Sequence, residues 1–245
     1  MKTLRDLAIL VRMNLAMHRG YAWIIGVISM AFAFGFVLGM GYLIPDISKT
    51  TATYITIGSA TQSIIILSAV GLPQLIAEAR HDGRLEYFLA LPISREAYLF
   101  AMLIESMIIA TPGIVAALLL GWWHYDLALQ FDPVVIAVAL LAMVSTAGAG
   151  MTLAVLVPHL QLVNALTQLL IFYFIFFSPV LLPAEQLPEF LQFTARFLPP
   201  SYAADAMRAT LTDLPGTHLA RSMLAMAVFA VISVVVSSLA VRRRT

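Results

Sequence analysis

The sequence has no cysteine, so disulfides and thiolate metal sites are excluded. It is also poor in charge. Asp, Glu, Lys and Arg make up 11% of the 245 residues, where a soluble domain carries about 25%. Other absences narrow the chemistry. There is no G-x-x-x-x-G-K-[ST], and Lys49 in Ser48-Lys-Thr lacks the preceding glycines that cradle phosphate. The chain therefore has no such site for ATP. There is no H-E-x-x-H, and His18, His81, His124, His159 and His218 are scattered near helix ends. No Ser/His/Asp spacing suggests a protease. This chain is expected to hold no metal, cofactor or catalytic residue, and to meet no nucleic acid.

Hydrophobic residues make up 61% of the chain. That is too much apolar surface for one water-soluble core, and too hydrophobic for disorder. An integral membrane protein remains. A helix needs about 20 apolar residues to cross a bilayer, and six stretches qualify: 21–42, 54–77, 97–123, 133–157, 162–182 and 219–241. Period-two alternation is missing, which argues against a transmembrane barrel. The first stretch is too long for a signal-peptide core and is read as a retained helix. Ten of the fourteen Lys and Arg residues fall in the N-terminal segment, the loop between spans two and three, and the C-terminus. With six spans these lie on one side, so both termini are expected to be cytoplasmic.

The segments outside the spans are informative. Leu4, Leu7, Ala8, Val11 and Leu15 follow helical spacing within residues 1–19, and Arg5, Arg12 and Arg19 recur on another face. This predicts an amphipathic helix in the inner interface; a plain basic topology anchor is the alternative. In the loop over 78–96, Gly83 breaks the helix leaving span two. Leu85, Phe88 and Leu89 then form one face of a short helix closed by Pro92, and Ser94 is placed to cap span three. That face needs cover, from the membrane surface or from a groove on a cytosolic partner. Over 183–218, broken by Pro183, Pro188, Pro199, Pro200 and Pro215, two short helical patterns are too apolar for a free loop and too interrupted to span. They predict a re-entrant or interfacial hairpin at the outer end, with Asp205 and Arg208 paired at i, i+3.

Few polar groups enter the membrane. Glu105 is the clear carboxylate. It is a functional candidate, or it points to the inner interface or joins an interhelix hydrogen bond. Gln161, Asn164 and Gln168 align along span five, and Phe172 and Phe176 extend the stripe. Gln62, between Thr61 and Ser63, is the counterpart in span two. These amides either bond between helices or line a translocation path. Gly35 and Gly39 form a G-x-x-x-G that permits close helix approach. Pro73 and Pro112 are expected to kink spans two and three.

Together these features resemble the type-2 permease family of ABC transporters. The specific part is Gly83-Arg-Leu-Glu86 with Leu91-Pro-Ile-Ser-Arg95, and Leu187-Pro-Glu-Phe-Leu191 with Leu198-Pro-Pro-Ser-Tyr-Ala-Ala-Asp-Ala-Met-Arg208. The resemblance covers essentially the whole chain and is closest to bacterial drug- and antibiotic-resistance permeases. Pro200 departs from the residue that relatives often carry before the Ser/Thr-Tyr pair. The resemblance implies an all-α integral membrane protein, one permease domain over 1–245, in a bacterial or archaeal cytoplasmic membrane. It implies a transmembrane dimer with a second permease copy, identical or related, in membrane lipid. A separate ATPase subunit would bind ATP and Mg and dock on a coupling helix around Arg84, Leu85, Glu86, Phe88 and Leu89. Spans two and five would line the path, and the hairpin carrying Arg208 would close the outer side. The expected function is export of a hydrophobic or amphiphilic substrate by alternating access. The alternative is a self-contained secondary transporter or channel, which the scarcity of charged residues within the spans disfavours.

Overall fold

The structure is a computed structural model that describes residues 2–44, 47–84, 95–183, 186 and 188–242. Among the described residues all regular structure is helical. Six helices are long and apolar enough to cross a membrane: 22–43, 49–81, 100–125, 134–156, 160–177 and 219–236. The count agrees with the hydropathy reading. The boundaries differ by up to five residues: span two is longer at both ends, and span five stops at Phe177, before Ser178 and Pro179. A proline has no N–H to continue the ladder.

The helices are α1 (Lys2–Leu43), α2 (Lys49–Ile66), α3 (Leu72–His81), α4 (Arg95–Tyr125), α5 (Val134–Leu156), α6 (Leu160–Phe177), α7 (Glu189–Ala195), α8 (Pro199–Leu211) and α9 (Leu219–Arg242). Polar side chains set several starts. Ser48 Oγ accepts from the Thr51 N–H at 3.1 Å at the head of α2. Asp132 Oδ1 accepts from the Val134 N–H at 2.9 Å at the head of α5. Each satisfies a donor that the first turn leaves open.

Helix α1 is one unbroken element of 42 residues. Residues 2–19 are helical, as the spacing predicts, and run straight into span one through Gly20. At 1.5 Å per residue the rod is about 63 Å long, roughly twice the hydrocarbon thickness. It packs along α4. The buried face of its first half is Leu10, Asn14 and His18, not the wholly apolar stripe of Leu7, Val11 and Leu15, which is only half-buried.

Span two runs through the middle of the bundle. It is α2 and α3 joined by a π-helical segment, Leu67–Gly71. Pro73 stands just beyond it and offers no N–H to the Ala69 carbonyl. The wider turn absorbs that missing bond without breaking the span. Gly150 of α5 packs here: a Cβ built on it would lie 2.3 Å from the Ala69 oxygen. Ser68 and Thr146 bond across the same contact at 2.6 Å. Small residues with hydroxyl bridges are how helices approach closely in lipid. Pro112, by contrast, sits inside a continuous α4. A Cβ built on Gly35 or Gly39 meets nothing within 4 Å, so among the described residues their spacing mediates no close helix approach.

The bundle has two ends. At the basic end lie the first half of α1, the end of α3, the start of α4 and the α5–α6 junction. At the other end, Lys49 Nζ lies 3.7 Å from Asp126 Oδ2, α7 touches the end of α6, and α8 lies against the bundle. Helix α8 packs against α2, α5 and α9, with Ala203, Ala204, Ala206, Met207 and Leu211 buried.

Candidate functional site

The α6 helix presents two faces. Val163, Thr167, Ile171 and Phe174 are buried against the chain. Asn164, Gln168, Phe172 and Phe176 face outward, with Phe172 55% and Phe176 67% exposed. Gln161 lies on the same outer side. The stripe is therefore not a set of interhelix bonds within this chain. The interhelix bond falls on the other face, where Gln74 Nε2 donates to Thr167 Oγ1 at 3.3 Å. Gln62 is placed differently. It is buried in the bundle, and its Nε2 has no partner. The structure thus separates Gln62 from the α6 stripe: one is inside the chain, the other on its surface.

Glu105 is fully buried in α4 and bonded to His18 Nδ1 of α1. Its second oxygen, Oε2, has no hydrogen-bond partner, and neither has buried Asn14 Nδ2, one turn from His18. Of the readings open from sequence, the geometry matches an interhelix bond: the pair clamps the first half of α1 to span three. Pattern reading missed His18, because a lone histidine near a basic segment carries no spacing signal.

Arg208 is buried on α8. Its Nη2 donates to the Pro179 carbonyl at 3.2 Å and also to the Val180 carbonyl. Its guanidinium stacks 4.0 Å from the centroid of the Tyr54 ring. Burial pushes its pKa down to about 10, partly offset by Tyr54 and Asp205, so it is cationic at neutral pH. Asp205 turns elsewhere, accepting from Ser222 Oγ at 2.5 Å and the His218 N–H at 3.3 Å. The predicted Asp205–Arg208 pair is replaced by two separate anchors: one ties α8 to the segment after span five, the other to the start of span six. Gly58 of α2 completes the first anchor, because a Cβ there would come 2.3 Å from the Val180 oxygen.

At the basic end, Gly83 adopts φ +70°, a left-handed conformation that ends α3 as expected. Arg84 Nη2 donates to Asp82 Oδ2 at 3.0 Å. The Asp82 carboxyl is held below its ordinary value, first by a hydrogen bond from His81 and then by Arg84. Leu85, Glu86, Phe88 and Leu89, with Pro92 and Ser94, lie outside the described residues. Among the described residues no group of three or more His, Asp or Glu comes together to hold a metal.

Residues 7–212 match the sequence profile of the ABC-2 type transporter family. The chain belongs to that family. As an ABC-2 chain it is also 33% identical over 132 residues to "Nodulation protein J" of Rhizobium leguminosarum bv. viciae, covering 54% of this chain and 49% of that protein. The same name, identity and length hold for the protein of R. leguminosarum bv. trifolii, of which 48% is covered. The chain spans about half the length of the curated relatives it matches. The family and the six apolar helices make this ABC-2 chain a multi-pass membrane subunit of an ABC transporter, in a family whose membrane subunits are generally non-catalytic.

Proposed function

We propose that this chain is the permease subunit of an ATP-driven exporter. It works as a pair with a second permease chain and moves a hydrophobic or amphiphilic substrate, such as a drug, lipid or natural product. The observation that carries the reading is the outward stripe of Asn164, Gln168, Phe172 and Phe176 on α6. Amides facing hydrocarbon without partners are costly. A second copy facing the stripe would enclose it, and the enclosed space would offer amides and aromatic rings to an amphiphile. Gln62, with an unused donor inside span two, would join that path only after a rearrangement of the bundle. The loop over 78–96 would dock a separate ATPase through Arg84, Leu85, Glu86, Phe88 and Leu89, and that partner would bind ATP and Mg. The basic end would be cytoplasmic and the α7–α8 hairpin external, in a bacterial or archaeal cytoplasmic membrane.

The test uses the absence of native cysteine. Single cysteines at Asn164, Gln168 and Phe172 are oxidised in native membranes, and the chain is then purified with whatever accompanies it. The expected result is a cross-linked pair at stripe positions, with a co-purifying ATPase of vanadate-sensitive activity. A folded chain that never cross-links through the stripe and carries no nucleotide hydrolysis would favour a self-contained transporter, with Glu105 the first residue to replace.

A further inference from the structure

Arg80 sits in the last turn of α3. Its guanidinium crosses to the junction between α5 and α6. Nη1 donates to the Ala154 carbonyl at 2.7 Å and the Val155 carbonyl at 3.2 Å. Nη2 donates to the Val157 carbonyl at 2.6 Å and the Pro158 carbonyl at 3.3 Å. The final carbonyls of a helix have no partner within it, and residues 157–159 are non-helical. One planar fork therefore gathers four carbonyls of the junction, a geometry that an ammonium cannot reproduce.

The position of this fork gives it a consequence. On its own helix, Arg80 stands three residues before Gly83, at the root of the loop over 78–96. On the other side, the junction it grips opens directly into α6 at Leu160, the helix that carries Asn164, Gln168, Phe172 and Phe176. Between α3 and α6 themselves, one hydrogen bond, from Gln74 Nε2 to Thr167 Oγ1 at 3.3 Å, is joined by apolar packing of Ile76 and Ala77 in one cluster with Val163. Such apolar contacts have no fixed direction and let helices slide. The fork fixes direction, because displacing α3 breaks all four bonds unless the junction follows.

We infer that Arg80 is a positioning residue for transport: it is a strut that carries displacement of the 78–96 loop into α6. The inference rests on the exporter reading, since that reading supplies the displacement. It is tested in the complex purified from native membranes with its co-purifying ATPase. An environment-sensitive fluorophore is placed on a cysteine at His81 in one preparation and at Gln161 in another; both positions are exposed. Each is prepared with Arg80 and with Arg80→Gln, and Mg-ATP with vanadate is added. With Arg80 both positions should respond. With Arg80→Gln the His81 position should still respond and ATP should still be hydrolysed, while the Gln161 response falls about fivefold, within the range for residues that couple sites. Should that variant fail to assemble, Arg80→Lys, which keeps the charge without the fork, is expected to give an intermediate loss. An undiminished Gln161 response overturns the strut, as does a proportional loss of both responses and of hydrolysis. A complex with Arg80 that hydrolyses no ATP overturns the exporter reading, and the strut with it.

Discussion

Arg208 carries its charge into the buried contact between α8 and span two. Its Nε finds no acceptor, yet its Nη2 bonds and its stacking on Tyr54 hold the chain end after span five. Replacing it with Ala leaves two carbonyls short of a donor and should cost about 1–3 kcal/mol. The thermal midpoint of the monodisperse detergent-solubilised chain reads this, and Arg208→Lys should fall between. The folded pKa, about 10, lies below the ordinary guanidinium value. The unfolded chain therefore holds more protons than the folded one only between those values, and stability gains from this group as pH rises through that window. From pH 6 to 9 the Arg208→Ala deficit should stay flat. Glu105 and His18 make the opposite kind of pair, short-range and shared between two helices. Removing one member leaves the other buried without its hydrogen-bond partner at a cost of about 1–3 kcal/mol, whereas an amide in place of the carboxylate keeps an oxygen for the bond. Glu105→Ala should therefore destabilise more than Glu105→Gln, and a double-mutant cycle with His18→Gln should show coupling.

Among the elements, span two shows how far the pattern alone could reach. Its existence and apolar length were legible, and so was a disturbance near Pro73. The form of the disturbance was not. The π-helical turn over Leu67–Gly71 packs on Gly150 and Thr146, some eighty residues away in sequence. Gly150→Ala drives a methyl group toward the Ala69 carbonyl and should cost about 1–3 kcal/mol through overpacking; the same thermal midpoint measures it. Helix α6 shows the complementary limit. The amide stripe was legible as a stripe, because spacing fixes which residues share a face. Which way that face points depends on the other helices, and no local signal carries it. The Asp205–Arg208 pairing failed for a related reason. The i, i+3 geometry was present, but Ser222 and the carbonyls of Pro179 and Val180 offered each charge a better-placed partner.

Considered whole, the molecule encloses polar groups on its central span and also on α1, α4, α5 and α8, and leaves an amide stripe on its outside. On the exporter reading, a second permease chain would cover that stripe in lipid. Replacing Phe88 and Leu89 with Asp should abolish stimulation of the co-purifying ATPase while the chain stays folded; unchanged stimulation would remove the loop from the docking role. Replacing Gln168 or Phe172 should shift preference among amphiphilic substrates more than it changes abundance. Equal effects on every substrate would return the stripe to a purely architectural role.

The unbroken first helix has a consequence of phase. Because no joint separates residues 2–19 from span one, the angular position of His18 on Glu105 and that of Gly26 beside Pro112 are set by one rotation. One extra residue after Gly20 would turn the entire N-terminal half by about 100° against the span. It would carry Asn14 and His18 off α4 without altering the hydropathy of either half. Four extra residues would bring the angle back to within about 40°. A flexible tether would tolerate both insertions equally; a rigid rod should suffer from the first more than from the second.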